Sequence, residues 1–176
     1  MQKKMFLAAT CCLLFAGSTL LPGQTTTLSS QDMLAVFALQ FDLFLPDTTF
    51  IEMEPGTVWE EAATEAKIMC NAMPATFERV LQDTTEIASS PEMILLRKGR
   101  LDLNGVPGYL IYMEFVQPEG SGSAEPFEGL MYVRPLDAQT ALTVNVAYPK
   151  SQHNRLYNKM LAAFGSVQQR KVAKGR

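Results

Sequence analysis

The side chains that most often do chemistry in proteins are few in this sequence and lie far apart. Among the 176 residues, His153 is the only histidine, and the cysteines are Cys11, Cys12 and Cys70. A zinc site needs several nitrogen or thiolate ligands, which this set does not supply at ligand spacing. Calcium sites draw on Asp-rich loops with a regular ligand spacing, and no such loop occurs. We therefore predict no metal site.

Nucleophilic and phosphate chemistry also lack their usual motifs. The run Gly120-Ser121-Gly122-Ser123 is not a nucleophile elbow, because no strand leads directly through it into a helix. A Ser–His or Cys–His pair would have to use His153. Glu114 lies within an apolar strand, where burial would raise the pKa of its carboxyl. Because glycine-rich phosphate loops are absent as well, we predict no catalytic residue, no cofactor and no enzymatic activity.

The remaining acidic and aromatic side chains have ordinary structural interpretations. Glu60 and Glu61 fall in the first turn of a predicted helix, where acids are stabilised by the helix dipole. Glu52 and Glu54 form a second pair of neighbouring carboxylates. The tyrosines could line a binding cleft, but aromatic side chains on strands usually pack against their neighbours, which is what we expect here. The five tyrosines are Tyr109, Tyr112, Tyr132, Tyr148 and Tyr157.

The first 23 residues have the pattern of a secretory signal peptide. Residues 1–4 include the basic pair Lys3 and Lys4, residues 5–17 form an apolar run, and small residues follow. The apolar run is shorter than the roughly 20 residues that span a bilayer. A buried helix or a membrane anchor is the alternative, and lipid attachment at Cys11 or Cys12 is disfavoured because so few apolar residues precede them. We predict cleavage near Ser18 or after Gly23 and export to the periplasm or beyond the cell.

Cleavage would change the charge and the thiol content of the chain. Residues 24–176 carry 13 basic and 18 acidic side chains, a net charge of −5, and four of the basic ones lie in residues 170–176. Residues 24–169 are therefore acidic, which argues against nucleic-acid binding. Only Cys70 would remain, so no intramolecular disulfide could form. We expect Cys70 to be buried, with a reactive thiol or an intermolecular disulfide as alternatives.

The N-terminal half of the predicted domain mixes strand and helix signals. Residues 37–45 alternate like a first strand, although a helix over residues 32–39 is the alternative, and residues 49–54 can be extended. Thr57 and Glu60 match a capping box. Apolar residues at helical spacing after it predict a helix over residues 58–72, followed by a shorter helix over residues 75–82. These apolar residues are Trp59, Ala62, Ala63, Ala66, Met69 and Cys70.

The C-terminal half is typical of an antiparallel sheet. Strands are predicted over residues 93–103, 109–116, 127–134 and 140–148, with a hairpin at Asn104-Gly105 and an exposed, mobile loop over residues 117–126. Ser151 would cap a closing helix, and residues beyond Gln168 should fray. We predict one α+β domain over residues 24–168, an antiparallel sheet with helices packed on it, and a basic tail over residues 169–176. The inward stripe of the closing helix is Leu156, Met160, Ala163, Phe164 and Val167.

The sheet region resembles a known family. The run Leu101-Asp102-Leu103-Asn104-Gly105-Val106-Pro107-Gly108-Tyr109 is similar to the strand, Asn-Gly, strand segment of PsbP-like domains. That family includes the photosystem II extrinsic protein, a Ran-binding nuclear-transport factor and small exported bacterial proteins. The similarity continues to residue 167, with Ser151, Tyr157 and Phe164 at comparable places. The resemblance implies an α/β/α sandwich around an antiparallel sheet and a function in binding rather than catalysis.

Three hypotheses about function follow from these observations. The first is an exported, non-catalytic domain that contacts an unidentified protein partner in the bacterial envelope, with no nucleic acid and no stable membrane span after cleavage. The second is a carrier of a small apolar ligand held between sheet and helix, motivated by the methionine- and tyrosine-rich faces. The third is a hydrolase that uses His153 or Glu114.

Overall fold

The computed structural model describes residues 29–45, 49–88, 90–116 and 125–171. The predicted signal segment at residues 1–23, most of the predicted loop at residues 117–126 and the end of the basic tail lie outside the described residues. The elements, in chain order, are α1 (Ser30–Phe37), β1 (Phe41–Asp42), β2 (Ile51–Glu54), β3 (Val58–Glu61), β4 (Ala66–Met73), α2 (Phe77–Ile87), β5 (Met93–Arg100), β6 (Tyr109–Phe115), β7 (Phe127–Pro135), β8 (Ala141–Pro149), a 3-10 turn (Lys150–Gln152), α3 (His153–Ser166) and β9 (Gln168–Gln169).

Seven of the strands form one antiparallel sheet in the order β2-β3-β4-β8-β7-β6-β5. The central strands β7 and β8 are buried along most of their length on both faces, so their sequences are almost continuously apolar instead of alternating. Helices α1 and α3 pack on one face, and α2 packs on the other. The predicted α+β fold, an antiparallel sheet between helical layers, is confirmed.

The layer between the sheet and α3 is densely packed. The inward stripe of α3 is buried as predicted. The ring of Phe164 stacks on the ring of Tyr132 from β7, with centroids 5.4 Å apart and planes within 5° of parallel. On the opposite face, Val80 of α2 packs with buried side chains of β6 and β7 such as Ile111 and Val133. Burial of these apolar surfaces from both sides is the main source of stability for the sheet.

The predicted helix over residues 58–72 is wrong, because this segment forms the hairpin of β3 and β4. Side chains along β4 alternate strictly between buried and half-buried over eight residues, which is the period of a strand. The alanines that gave the sequence a helical spacing lie in the turn and at the start of β4. Thr57 and Glu60 form no capping box; the Thr57 hydroxyl contacts the Glu54 carboxylate at 3.4 Å, and Glu60 pairs with Lys67 at 3.3 Å.

Other element boundaries also differ from the prediction. The strand over residues 37–45 is reduced to the two residues of β1, and the helix that was the alternative is α1, which begins with a capping box between Ser29 and Asp32. The helix after Pro74 is longer than predicted and is capped by Thr76. Ser151 does not cap α3 through its side chain; its backbone N–H donates to the Glu125 carboxylate at 2.7 Å.

Residues 169 and 170 are held in place, so the predicted fraying beyond Gln168 is wrong for them. Gln169 pairs with Phe41 in the two-stranded ladder of β1 and β9. The backbone N–H of Arg170 donates to the carbonyl of Gln40 at 2.8 Å. Its guanidinium lies 2.7 Å from both the Asp42 and the Glu52 carboxylates. The start of the tail therefore ties the segment after α1 to the edge strand β2.

The Asn104-Gly105 hairpin forms where it was predicted. Both residues have the positive φ that this two-residue turn requires, +52° and +77°, and Leu103 and Val106 exchange backbone hydrogen bonds around them. The Asn104 side-chain amide donates to the carbonyl of Gly165 at 2.6 Å. The hairpin tip therefore satisfies one of the carbonyls left free at the C-terminal end of α3.

We expect replacement of Gly108 by Ala to destabilise the fold by about 1–3 kcal/mol through overpacking. A Cβ at this position would lie 2.3 Å from the Tyr132 hydroxyl oxygen, and the Tyr132 ring is fully buried against Phe164. The measurement is the free energy of unfolding in urea. Gly99→Ala is the matched control, because a Cβ at Gly99 meets nothing within 4 Å. Equal stability of the two variants would contradict the packing described here.

Candidate functional site

Buried polar side chains meet where β6, β7 and β8 pass under the start of α3. Glu128 of β7 is only 3% exposed, and its carboxylate lies 2.6 Å from Nδ1 of His153, the first residue of α3. The Tyr112 hydroxyl lies 3.1 Å from the same nitrogen. The strand register explains this grouping, since Glu114, Glu128 and Tyr148 stand opposite one another on neighbouring strands and share a face.

Aromatic rings enclose the imidazole. His153 stacks with Tyr157 at 4.9 Å and with Tyr112 at 5.8 Å between centroids. Burial and the nearby Glu128 carboxylate raise the pKa values of Tyr112 and Tyr148, so both hydroxyls stay protonated at neutral pH. Among the described residues, no serine, threonine or cysteine forms a hydrogen bond with His153. The arrangement supplies a carboxylate that orients an imidazole but no nucleophile for it to activate.

The structure brings His153 and Glu114, the two residues of the hydrolase hypothesis, into this one group. Glu114 lies beside Glu128, and its carboxylate accepts a hydrogen bond from Nζ of Lys150 at 2.6 Å. His153 and Glu114 thus each make a polar contact that holds the start of α3, His153 with Glu128 and Glu114 with Lys150. Sequence analysis missed Glu128, the carboxylate on which the group depends. The sequence feature that could have identified Glu128 is its position as the single acid in the apolar run of β7. It stands directly opposite Glu114 of β6.

A second buried carboxylate contacts α3 on the same face of the sheet, from the end of β3. Glu61, at the end of β3, is 1% exposed, and its oxygens lie 2.5 and 3.1 Å from the guanidinium nitrogens of Arg155. The Thr49 hydroxyl donates to it at 2.7 Å, and the Thr64 hydroxyl donates as well. Burial raises the pKa of Glu61, but these hydrogen bonds outweigh burial and bring the pKa to about 2. Glu61 is therefore a structural anion, not an acid in the first turn of a helix.

Cys70 and the metal-ligating residue types give no reactive centre. Cys70 is fully buried in the layer under α3, as expected. Burial raises the pKa of its thiol to about 12, against a smaller opposing effect of Arg134. Within the described parts of the chain, no three side chains of the types His, Cys, Asp or Glu are grouped as metal ligands.

Exposed apolar side chains are concentrated on α1, β2 and the segment between them. Leu34 and Phe37 on α1 are 69% and 58% exposed, and Ile51 and Met53 on β2 are 64% and 58% exposed. Phe44, which lies between these elements, is exposed as well. We call these five residues the N-terminal apolar set.

Two concave regions are also present. A small cavity of about 20 Å³ lies on the α2 side of the sheet and is lined mainly by side chains of β4, β6, β7 and β8. That volume holds one water-sized particle. A shallow groove along α2 is open to solvent and is lined mainly by polar side chains, with Leu81 and Tyr109 as its apolar members. Neither region is an enclosed pocket for an organic ligand.

We expect Glu61→Gln to reduce the free energy of unfolding at pH 7 by about 2 kcal/mol, because charge-assisted hydrogen bonds are lost. The pKa of Glu61 in the folded state lies below its ordinary value of 4.5. Its stabilising effect is therefore present above pH 4.5 and disappears as the pH falls toward about 2. Urea unfolding measured across this pH range should show a shallower pH dependence in the variant. Glu92→Gln, at an exposed position, is the control. If the unfolding free energy of Glu61→Gln depends on pH as steeply as that of the unsubstituted chain, Glu61 does not stabilise the fold through its contact with Arg155.

We expect the Cys70 thiol to be almost inert in the native protein. In a chain that carries Cys11→Ser and Cys12→Ser, iodoacetamide at pH 8 should label Cys70 at least about 100-fold more slowly than an added exposed cysteine, because burial keeps the thiol protonated and inaccessible. Ala162→Cys on the exposed side of α3 provides that comparison. Labelling should become fast in urea. Rapid labelling of the native chain, or a disulfide-linked dimer, would contradict the buried position.

The fold of this chain is similar to that of several solved structures. No protein-family model matches the sequence, and no curated protein matches it. Among solved structures, LpqN of Mycobacterium tuberculosis, which is described as involved in cell envelope biogenesis, matches with a TM-score of 0.53 at 13% identity, over 76% of this chain and 85% of that chain. A Pseudomonas aeruginosa protein of unknown function, described as a putative regulator, matches with a TM-score of 0.50, also at 13% identity and with the same two coverages.

Cyanobacterial PsbP from Synechocystis also matches, with a TM-score of 0.49 and 13% identity over 88% of this chain and 99% of that chain. At such identities the likeness concerns the fold alone. The resemblance seen in the sequence around Asn104-Gly105 agrees with the observed sheet and its two helical layers. The match with LpqN, whose fold is PsbP-like, shows that this chain has that fold.

Proposed function

We propose that this chain is an exported, non-catalytic domain that acts by contact with another protein in the bacterial envelope. The observation that carries the proposal is the N-terminal apolar set. A monomeric domain gains stability by burying such side chains, and α1 instead has no buried residue at all. Large apolar side chains that stay exposed are typical of protein contact sites, where a partner removes them from water.

The position of β2 supports the same interpretation. It is the outer strand of the seven-stranded sheet, and among the described residues its backbone pairs only with β3. Edge strands in monomeric proteins are usually protected by charge, by proline or by a covering segment. Here Glu52 and Glu54 carry charge on that edge and Arg170 contacts Glu52, but Ile51 and Met53, which alternate with the two acids, stay exposed. An extended segment of a partner could therefore add to β2 through backbone hydrogen bonds and place apolar side chains against this surface.

Export and the absence of catalysis complete the proposal. Export rests on the basic and apolar pattern of residues 1–23 and on the single cysteine that would remain after cleavage. None of the helices in the described residues is long and apolar enough to cross a membrane. The non-catalytic role rests on His153 and Glu114, the two residues best suited to hydrolysis, which are both engaged in contacts that hold the start of α3.

The packing argues for protein contact over the carriage of an apolar ligand. That hypothesis placed the ligand between sheet and helix, where Tyr132, Phe164, Leu156 and Met160 are buried against one another. The cavity on the opposite face has the volume of a single water-sized particle, so an organic ligand would have to displace packed side chains.

For export, we expect the chain with a C-terminal tag to be recovered from the periplasm or the medium of a bacterial host, shorter than the translated product by about 18–23 residues, because signal peptidases remove such segments. Cell fractionation and intact mass measure both properties. A chain that lacks residues 2–23 is the control and should stay in the cytoplasm. Recovery of the full-length, uncleaved chain in the cytoplasm would overturn the export proposal.

For contact, we expect a photo-crosslinking amino acid at Phe37 or Ile51 to form an adduct with one defined protein in cells of the native species. The same probe at Asn158, on the exposed side of α3, should form none. With the probe kept at Phe37, Ile51→Glu should lower the adduct yield at least about tenfold, because a charge on the apolar surface opposes its burial. Equal adducts at all three positions, or none at Phe37 and Ile51, would overturn the contact proposal.

A further inference from the structure

The two outer strands of the seven-stranded sheet carry opposite charges. Residues 24–169 hold 9 basic and 18 acidic side chains, so a cluster of basic residues on one strand is unexpected. β5 nevertheless contributes three basic residues, whereas β2 contributes two acidic residues and no basic one. These five residues are Arg97, Lys98, Arg100, Glu52 and Glu54.

The basic charge of β5 is not neutralised within the described part of the chain. Arg100 pairs with Asp102 at 2.9 Å. Arg97 and Lys98 are exposed, and among the described residues neither side chain forms an ion pair or a hydrogen bond. Ile94 and Leu96 of the same strand are also exposed. β5 therefore presents basic and apolar side chains together at the edge of the sheet.

The acidic charge of β2 is only partly neutralised. All four residues of this strand are exposed. The Arg170 guanidinium is shared between the carboxylates of Asp42 and Glu52. The Glu54 carboxylate contacts only the Thr57 hydroxyl, at 3.4 Å, among the described residues. Three carboxylates thus share one guanidinium, so this edge keeps a net negative charge.

No described strand covers either edge. β2 pairs with β3 and β5 pairs with β6, and neither has a second neighbour among the described residues. The outer N–H and C=O groups of an edge strand can pair with another strand. Charge on an edge normally prevents two identical edges from pairing, but it attracts an edge of opposite charge. The two edges of one chain lie six inter-strand spacings, about 30 Å, apart, so they cannot meet within one molecule.

The charges determine which edges of two copies can meet. Pairing β2 with a second β2 would bring Glu52 and Glu54 of both copies together, and pairing β5 with a second β5 would do the same for Arg97 and Lys98. Like charges opposite one another on neighbouring strands are destabilising. Pairing β2 with β5 instead places acidic side chains beside basic ones. The chain therefore carries both halves of a complementary contact.

Each edge has charge on both faces of the sheet. Arg97 and Lys98 are consecutive and pair with consecutive residues of β6, so they point to opposite faces. Glu52 and Glu54 also point to opposite faces, because the β-bulge between them makes them pair with consecutive residues of β3. A contact between β2 and β5 can therefore match one acid with one base on each face.

We propose that β5 of one copy of this chain pairs with β2 of a second copy, so that the sheet continues from one molecule to the next. This inference rests on the proposed protein contact, since it names the partner that adds to β2. Exposed apolar side chains of both strands are removed from water in the contact. Because two different edges are joined, every pair leaves one β2 and one β5 free, and assembly continues beyond a dimer.

The first test is sedimentation velocity of the chain in the form recovered from the export experiment. At low salt, we expect the sedimentation coefficient to rise with protein concentration past the value of a dimer. Because salt screens charges, association should weaken in about 0.5 M NaCl. Lys98→Glu and Glu54→Lys should each weaken association at least about tenfold, and an equimolar mixture of the two variants should recover it. Glu86→Lys, an equal charge change at an exposed position of α2, is the control and should associate as the parent does.

Cross-linking shows which edges meet. Met53→Cys and Leu96→Cys are introduced separately into chains that carry Cys11→Ser and Cys12→Ser, and a short bismaleimide is added; Cys70 is buried and should not react. We expect a covalent dimer when the two chains are mixed and none from either chain alone, since equivalent edges of neighbouring copies lie about 30 Å apart. A mixture of Met53→Cys with Ala162→Cys is the control and should give none.

Three results would overturn the proposal. They are a monomer at every concentration, association that neither charge reversal weakens, and a covalent dimer formed from one single-cysteine chain alone. If the purified chain is monomeric while the probe at Ile51 captures a different protein in cells, only the pairing of copies is wrong and the contact proposal stands. If the probes at Phe37 and Ile51 capture nothing in cells, the contact proposal itself is wrong.

Discussion

Two carboxylates buried by the sheet fix the position of α3, and much of the structure depends on that placement. The Glu128 carboxylate contacts His153, and the Glu61 carboxylate contacts Arg155. His153 and Arg155 both lie in the first turn of the helix. A buried carboxylate is strongly unfavourable without a partner, so the helix cannot leave the sheet without exposing or orphaning both charges. The opposite end of the helix is held by Asn104 and by Arg134, whose guanidinium donates to the carbonyl of Val167 at 2.8 Å.

Because polar contacts hold both ends of α3, they determine which residues of its apolar stripe pack against which residues of the sheet. The Phe164 ring stacks on Tyr132, and the Tyr132 hydroxyl in turn occupies the space left by Gly108. Polar contacts thus select one position of α3 on the sheet, and burial of apolar side chains supplies most of the stability of that arrangement. The glycine and the hairpin turn next to it belong to the same segment that resembles PsbP-like domains, so the resemblance reflects a packing requirement of the fold.

Local signals in the sequence predicted the parts of the fold that local geometry decides. The Asn104-Gly105 turn is one example, because two adjacent residues suffice to specify its backbone. The segment at residues 58–72 is the opposite case. Its alanines fit a helix and a strand equally well, and pairing with β8, some 75 residues further along the chain, decides for the strand. Likewise, Glu128 and His153 meet only through the sheet register, which no local pattern encodes. The N-terminal apolar set was missed because exposure, unlike hydrophobicity, depends on what the rest of the chain covers.

The ladder between β1 and β9 has a mechanical consequence. Phe41 and Gln169 lie side by side at one end of this two-residue antiparallel pair, and Arg170 joins the same region to β2. A pull on the chain before Phe41 and after Gln169 would therefore act on one end of the ladder and peel its few hydrogen bonds apart in succession. The ladder and the Arg170 contacts would yield first, while α3 and the central strands stay packed. Local opening of this kind is the low-energy end of the spectrum of unfolding events. Tension carried through either end would loosen the edge at β2 before it reached the core.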